Sequence, residues 1–473
     1  MNEMLNQSAV SLRTMIERRD LSARELLDAV LEQVDRLNPA VNAIVTLVPE
    51  MAIERAQALD DSQARGETTG VLHGLPMAHK DLVMTRGIRT TFGSPIYSSN
   101  IPQRDELLIE RLLAAGVVSI GKTNTPEFGA GSQTFNEVFG ATCNPYDLNR
   151  TCGGSSGGAA VALATRMIPI ADGSDMGGSL RNPASFCNVV GFRPSTGRVP
   201  SWPSDHAWFS FGVQGPMARC VDDIALQMSV MAGPDDRAPL SLQESGEMFA
   251  EPLTADLAGK RIAIASSLGG LPVSPEVTEV VEQQRQVFVE LGCEVEDACP
   301  DFQGADEVFK VLRAFRFDMK FGPLLSQHRH QMKDTVLWNI EQGRQLSGSE
   351  IGRAQQLRTT LFHKTRQFFE KYDYLVAPVS QVPPFDIQEP FVREIAGVEM
   401  ETYIDWMKSC YFITATGMPA ISVPAGFTEE GLPVGIQLIG GFRKDLQVLQ
   451  LARAFEERTK VGERLPSLIQ GAC

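Results

Sequence analysis

The chain lacks the marks of several protein classes. No apolar run reaches the roughly eighteen residues that a bilayer span requires. The opening stretch Met1-Asn2-Glu3-Met4-Leu5-Asn6-Gln7 has neither a basic n-region nor an apolar h-region. No membrane span and no secretory leader are therefore expected, and the cytoplasm is the expected compartment. Eight cysteines lie scattered at 143, 152, 187, 220, 293, 299, 410 and 473, with no Cys-x-x-Cys pair. A chain of 473 residues does not need disulfides to hold its core, so these are expected to be reduced and mostly buried thiols. Positive charge is in deficit: 43 Lys and Arg against 58 Asp and Glu leave a net charge of −15, which argues against a nucleic-acid or anionic-membrane surface. Histidine is scarce, with six residues. The one close pair, His328-Arg329-His330, has no carboxylate or cysteine at ligand spacing, so no metal and no cofactor are expected.

What is present is an ordinary globular composition, 43% apolar and 21% charged. Two amphipathic helices are read over 8–37. The second opens with the capping box Ser22-Ala23-Arg24-Glu25 and carries Leu26, Leu27, Val30, Leu31 and Val34 on one face. A strand over 43–48, a polar helix to about 64, a helix near 105–115 and a strand over 116–120 follow. Residues 159–165 read as helix and 167–172 as a short apolar segment, in which Pro169 weakens a central strand. A βαβ unit comes next: a strand over 261–265, a helix from Ser274-Pro275-Glu276 to Leu291 closed by Gly292, and a strand over 293–296. Such a unit implies parallel pairing. Residues 300–372 are mostly helical, and strands at 373–378, 420–424 and 434–439 precede a last helix near 444–458. No repeat, low-complexity tract or linker interrupts the chain. The reading is α/β, a single large α/β/α sandwich over 1–473 whose mixed, mostly parallel twisted sheet is covered by helices.

The chemistry concentrates in two glycine–serine turns, Gly153-Gly154-Ser155-Ser156-Gly157-Gly158 and Asp175-Met176-Gly177-Gly178-Ser179. Where no Cβ intervenes, backbone N–H groups and a hydroxyl can close on a ligand, as a nucleophile with an oxyanion hole requires. Two other patterns fail on context. Residues 116–123 spell a phosphate loop, but Val117-Val118-Ser119-Ile120 is itself strand-like and Thr123-Asn124-Thr125-Pro126 opposes a helix start. Gly153-Gly154-Ser155-Ser156-Gly157 spells a nucleophile elbow, yet residues 144–150 before it read as loop. The later histidines His206, His328, His330 and His363 have no distinctive surroundings for a triad. Lysine is left as the base. Lys80 lies among Leu75, Pro76, Met77, Ala78, Leu82 and Val83, a setting compatible with the burial that would lower its pKa. An ion pair with Asp81 is the simplest account of that lysine, and pattern alone does not join it to the serines.

Three spaced motifs together resemble the amidase signature family: Gly74-x-Pro76-x-x-x-Lys80-Asp81, Gly153-Gly154-Ser155-Ser156-Gly157-Gly158 and Asp175-x-Gly177-Gly178-Ser179-x-Arg181-x-Pro183. Matches at Gly121-Lys122-Thr123-Asn124, Gly191-Phe192-Arg193-Pro194 and Gly417-x-Pro419-Ala420 extend the likeness almost to the C-terminus. The resemblance implies N-terminal helices over 1–65, a signature core over 66–225 and a variable helical elaboration over about 300–410. It implies Ser179 as nucleophile, Ser155 as a bridging serine on a cis peptide bond, and Lys80 as base. The N–H groups of Met176, Gly177, Gly178 and Ser179 become the oxyanion hole, and Ser156, Ser174, Asp175 and Arg181 its supporting network. Met176 stands where threonine is frequent, Arg193 and Ser195 where lysine and threonine are, and Thr414-Ala415-Thr416-Gly417 where Asn-Leu-Thr-Gly is usual.

The resemblance further implies hydrolysis of a small carboxamide, with loops near 125–138 and the 300–410 region forming the acyl pocket. Phe128, Gln133 and Phe135 are the expected substrate contacts. Phe309, Phe315, Phe317 and Trp338 are expected in the core first and in the pocket second, and an aryl or alkyl acylamide is the expected substrate. The amidase subunit of a glutamyl-tRNA amidotransferase and a non-catalytic scaffold are the alternatives. A small-molecule amide is the expected partner, with a homodimer left open.

Overall fold

Caps and amphipathic spacing start the chain as helices. The computed structural model describes residues 3–67 and 70–470, so Met1, Asn2 and Cys473 lie outside the described residues. Ser8 accepts the Ser11 N–H at the start of α1 (Ala9–Glu17), and Ser22 and Glu25 cap α2 (Ala23–Val41) reciprocally. Each such cap stabilises by about 1 kcal/mol. Helix α2 buries Leu26, Leu27, Val30, Val34 and Leu37, and runs past its expected end to a left-handed cap at Asn42.

Three strands follow, β1 (Ile44–Leu47), β2 (Pro76–Lys80) and β3 (Val118–Thr123), joined through α3 (Pro49–Ala64) and α4 (Leu107–Ala114). They pair in the order β1-β3-β2, with β1 antiparallel and β2 parallel to β3. Strand β3 starts two residues later than expected and takes in Gly121-Lys122-Thr123, so the phosphate-loop spelling is extended backbone. A Cβ on Gly121 would lie 1.8 Å from the Thr46 carbonyl oxygen. The Lys122 ammonium is buried and donates to Val83 O and to Thr85 Oγ1.

The second sheet is built from β4 (Ile170–Asp175), β5 (Val190–Arg193), β6 (Val213–Ala218), β7 (Arg261–Ile264), β8 (Glu294–Asp297), β9 (Tyr374–Pro378), β10 (Ala420–Phe427) and β11 (Pro433–Gly440). Its order is β8-β7-β9-β11-β10-β5-β6-β4. The sheet is mixed, as expected, but parallel pairing is confined to β8-β7-β9, the strands around the legible βαβ unit. The other five junctions are antiparallel. The hairpin β10–β11, closed by a short connection, inserts between β9 and β5, and β6 folds back between β4 and β5. Strand β4 follows Pro169 and lies on the sheet edge, where a neighbouring proline is tolerated. It runs three residues beyond the expected segment, through Ser174 and Asp175.

Helices α5 (Gly157–Ala164) and α6 (Arg181–Phe186) start from the two glycine–serine turns, and α7 (Val221–Met231) follows β6. The expected helix 275–291 is two, α8 (Pro275–Gln283) and α9 (Arg285–Glu290), parted at Gln284. Ser274 makes no side-chain cap there. The 300–410 region supplies α10 (Ala305–Phe321), α11 (Asp334–Gln345), α12 (Gly348–Lys371) and the start of α13 (Lys408–Thr416), and α14 (Asp445–Thr459) follows β11. One apolar core runs from α1 and α2 through both sheets to α14, and a second lies under α10, α12 and α13. Among the described residues, no helix is long and apolar enough to cross a membrane. The sheets meet where the Lys80 N–H of β2 donates to Asp172 Oδ1 of β4, at 2.9 Å. That junction places a lysine beside both turns.

Candidate active site

Lys80 ends β2 fully buried, with its ammonium nitrogen in a ring of serine oxygens. Nζ lies 2.9 Å from Ser155 Oγ, 2.8 Å from Ser156 Oγ and 3.1 Å from Ser174 Oγ, with the Ser174 carbonyl at 3.4 Å. Burial pushes its pKa down to about 7, against the pull of Asp175 and Asp172, so the neutral amine is well populated at neutral pH. No carboxylate among the described residues pairs with it. Asp81, the simplest partner on sequence grounds, instead accepts from the Thr91 N–H and hydroxyl. His79, its other neighbour, bonds Asp172 Oδ2 at 2.6 Å and Ser119 Oγ at 2.7 Å.

The first turn is held from below and behind. Thr134 Oγ1 donates to Gly153 O, Ser132 Oγ donates to Gly154 O, and the Gly154–Ser155 peptide bond is cis. A Cβ on Gly158 would fall 2.3 Å from the Asn124 nitrogen, so only glycine lets α5 start this close to β3. Residues 147–151 just ahead form a strand, not the expected loop, in a small two-stranded ladder with Cys143–Asn144. That ladder lies outside the central sheet, so it does not supply the strand of a nucleophile elbow.

The second turn is fixed by buried charge. The Asp175 carboxylate receives Arg181 Nε at 3.0 Å and Nη2 at 3.1 Å, and Arg193 Nη1 at 3.2 Å. Burial would raise its pKa, but the two guanidiniums prevail and hold it well below the usual carboxylate range. Arg193 also reaches Asp175 O and Phe211 O, bridging that a lysine's point charge would not reproduce. Arg181 donates from Nη2 to Thr414 Oγ1 at 3.1 Å, which places the unusual Thr414 on this network. The two turns are tied by the Ser156 N–H donating to Ser179 O at 3.2 Å.

Four amides were expected to face an oxyanion, and the geometry removes one. The Gly178 N–H donates to Asp175 Oδ1 at 2.9 Å and is already committed. The amides of Met176, Gly177 and Ser179 carry no hydrogen bond to described residues. Gly178 has φ +113°, and a Cβ there would lie 2.6 Å from Cys410 Cβ, so this turn also requires glycine.

A cavity of about 590 Å³ opens on Ser155, Ser174, Met176, Gly177 and Ser179, a size suited to a small ligand. Ser179 lines it, and its hydroxyl makes no hydrogen bond to described residues, leaving it available to an incoming carbonyl. Of the expected substrate contacts, Phe128 lines the cavity. Gln133 does not, because its amide is turned to donate to Ile387 O at 2.9 Å. Phe135 is also outside, under the Lys333 ammonium 3.7 Å from its ring centroid. Phe317 is in the wall, whereas Phe309 is core, stacked 4.2 Å from Tyr411. Phe315 packs edge-on to His206 and Trp338 to Tyr403. The sequence reading missed the segments 82–106 and 196–214, which contribute Leu82, Tyr97, Pro200 and His206 to the cavity. His206 bonds neither serine, and no histidine triad forms among the described residues. Among those residues no group of three or more His, Cys, Asp and Glu side chains is placed to hold a metal, and the seven described cysteines are free.

A buried lysine hydrogen-bonded to one serine, a second serine lining the same cavity, and unoccupied amides beside that second serine make up a site equipped for acyl transfer. Comparison with known proteins agrees. The Amidase family model matches residues 25–449. An acylamidase from Rhodococcus erythropolis is 34% identical over 463 residues, covering 97% of each chain. One subunit of the glutamyl-tRNA(Gln) amidotransferase from Cyanothece sp. is 34% identical over 478 residues, covering 95% of this chain and 97% of that one. The solved structure of a bacterial aryl acylamidase, an amidase signature enzyme, superposes with a TM-score of 0.92 at 30% identity, covering 98% of each chain. The chain belongs to the amidase signature family and is a hydrolase acting on carbon–nitrogen bonds.

Proposed function

We propose that the enzyme hydrolyses the carboxamide of a small aryl or alkyl acylamide through a Ser-cisSer-Lys relay, releasing a carboxylate and ammonia or an amine. The observation that carries this reading is the buried Lys80 amine, with a pKa of about 7, lying 2.9 Å from Ser155 Oγ. A neutral amine donates two hydrogens and accepts one, so Nζ can take the Ser155 proton while Ser156 and Ser174 accept from it. Ser155 in turn takes the Ser179 proton as Ser179 Oγ attacks the carbonyl carbon. The amides of Met176, Gly177 and Ser179 receive the developing oxyanion. On collapse of the tetrahedral intermediate the C–N bond breaks, and the relay returns the proton to the leaving nitrogen. Water then enters the vacated place, gives its proton to the same relay and cleaves the acyl–Ser179 ester. Phe128, Tyr97, Phe317 and Phe321 give the cavity an aromatic lining suited to such acyl or amine groups.

The test is fluorophosphonate labelling followed by peptide mass spectrometry. An adduct on Ser179, greatly slowed in Lys80→Ala, supports the relay, and an adduct on Ser155 overturns it. A second reading has an observation behind it: amidotransferase subunits match this chain at the same 34% identity as the acylamidase. Glutaminase activity together with co-purifying subunits would favour that reading, and turnover of simple anilides by the isolated chain would reject it. The joint presence of Lys80, Ser155 and Ser179 speaks against a silent scaffold.

A further inference from the structure

We propose that Arg313 anchors a carboxylate carried by the substrate, so that the amide cleaved bears an anionic group a few bonds from its scissile carbonyl. This rests on the amidase reading above and narrows its substrate class. Arg313 lies on α10, is 5% exposed, and lines the cavity. Nε donates to Asn339 Oδ1 at 3.1 Å and Nη2 to Tyr403 Oη at 2.7 Å, both neutral. Nη1 meets only the Met176 sulfur, at 3.8 Å, a weak acceptor. Among the described residues no carboxylate forms an ion pair with Arg313. Three other buried guanidiniums are matched: Arg181 and Arg193 by Asp175, and Arg198 by Asp445. A buried charge without a counter-ion is costly, so one left facing a cavity marks a place where a ligand supplies the missing charge.

The position is telling. Met176 opens the turn that carries the free amides and Ser179, so a carboxylate at Nη1 belongs to the molecule whose carbonyl sits at Ser179. The guanidinium plane is held by the Phe317 ring, 4.5 Å from its carbon to the centroid. Arginine offers a carboxylate two parallel donors when so oriented. Arg316 and Lys320, farther along α10, also line the cavity without ion-pair partners among the described residues. Of the carboxylates that line it, Asp175 is held by Arg181 and Arg193, while Asp205 attracts Arg316 and Lys320 and Glu106 attracts Lys320 without closing an ion pair. The result is a cationic wall in a chain of net charge −15.

The experiment uses two pairs of substrates that differ by a carboxylate or its neutral nitro isostere. In one pair the group is on the acyl side (succinanilate against 3-nitropropionanilide). In the other it is on the amine side (4-acetamidobenzoate against 4-nitroacetanilide). The wild-type enzyme is expected to favour the carboxylate member of one pair by about tenfold or more in kcat/KM, and the favoured pair identifies the side. In Arg313→Met that ratio is expected to fall about tenfold, and Arg313→Lys to recover part of it. A preference that survives Arg313→Met overturns the inference. Should that variant fail to fold, inhibition of the wild type by benzoate and butyrate against nitrobenzene and 1-nitropropane decides: stronger inhibition by a carboxylate supports it, and equal inhibition overturns it. Turnover of the nitro substrates without carboxylate preference overturns this inference and leaves the amidase reading standing. No turnover of any amide overturns both.

Discussion

The cavity has two unlike walls. On the side of β2, β4 and the two turns, buried charge is closed on itself: Asp175 is shared by Arg181 and Arg193, and Lys80 is surrounded by three hydroxyls. On the side of α10, Arg313 is also buried but faces the cavity without a carboxylate, among aromatic rings. A closed network fixes atoms to the tolerance that proton transfer needs. An open one is completed by what binds. The first wall sets the reaction and the second selects its substrate.

Changes on the first wall should act whatever the substrate, and changes on the second should depend on it. The largest effect is expected for Ser179→Ala, a loss of about 10⁴-fold or more in kcat for every amide and ester tested by steady-state kinetics. Arg181→Met should cost about 3–5 kcal/mol of stability by urea denaturation, because it strips a buried carboxylate of a partner. The Asp175 carboxyl is held below its ordinary value, so its contribution is present above the unfolded value of about 4 and is lost as pH falls through the folded one. The gap between wild type and Arg181→Met should therefore narrow in strong acid. Phe321→Ala removes a ring stacked 4.3 Å from Phe128 and should raise KM for an aryl amide by about tenfold, with little change for a short alkyl amide. A uniform loss of kcat in that variant would erase the distinction between the walls. The smallest effect, about 1 kcal/mol, is expected for Thr414→Val, which leaves Arg181 Nη2 short of one acceptor.

The two walls also differed in how far they could be read in advance. The glycine–serine turns were legible because Gly158 and Gly178 answer local steric demands, and local demands leave local spelling. Lys80 was not connected to them by pattern, since its contacts with Ser155 and Ser174 depend on β2 lying beside β4, some 90 residues on in the chain. The family resemblance supplied that link. It also offered Gly178 as an oxyanion donor, which the Asp175 carboxylate claims instead. Gln133 and Phe135 failed because proximity in a loop says nothing of which way a side chain turns. The mostly parallel sheet failed because one βαβ unit was taken to speak for strands that later hairpins insert between. Segment 199–214 carries no periodic or motif signal, and Arg313 looks in sequence like any charge on an amphipathic helix.

The pH dependence of Ser179 labelling by a fluorophosphonate, measured beside Lys80→Met, tests the central claim most directly. The Lys80 ammonium must lose its proton before it can accept one, so the wild-type rate should rise with pH through about 7 and then level. The variant should be slow at every pH. A wild-type rate that stays flat across that range, or an undiminished rate in Lys80→Met, would contradict the account.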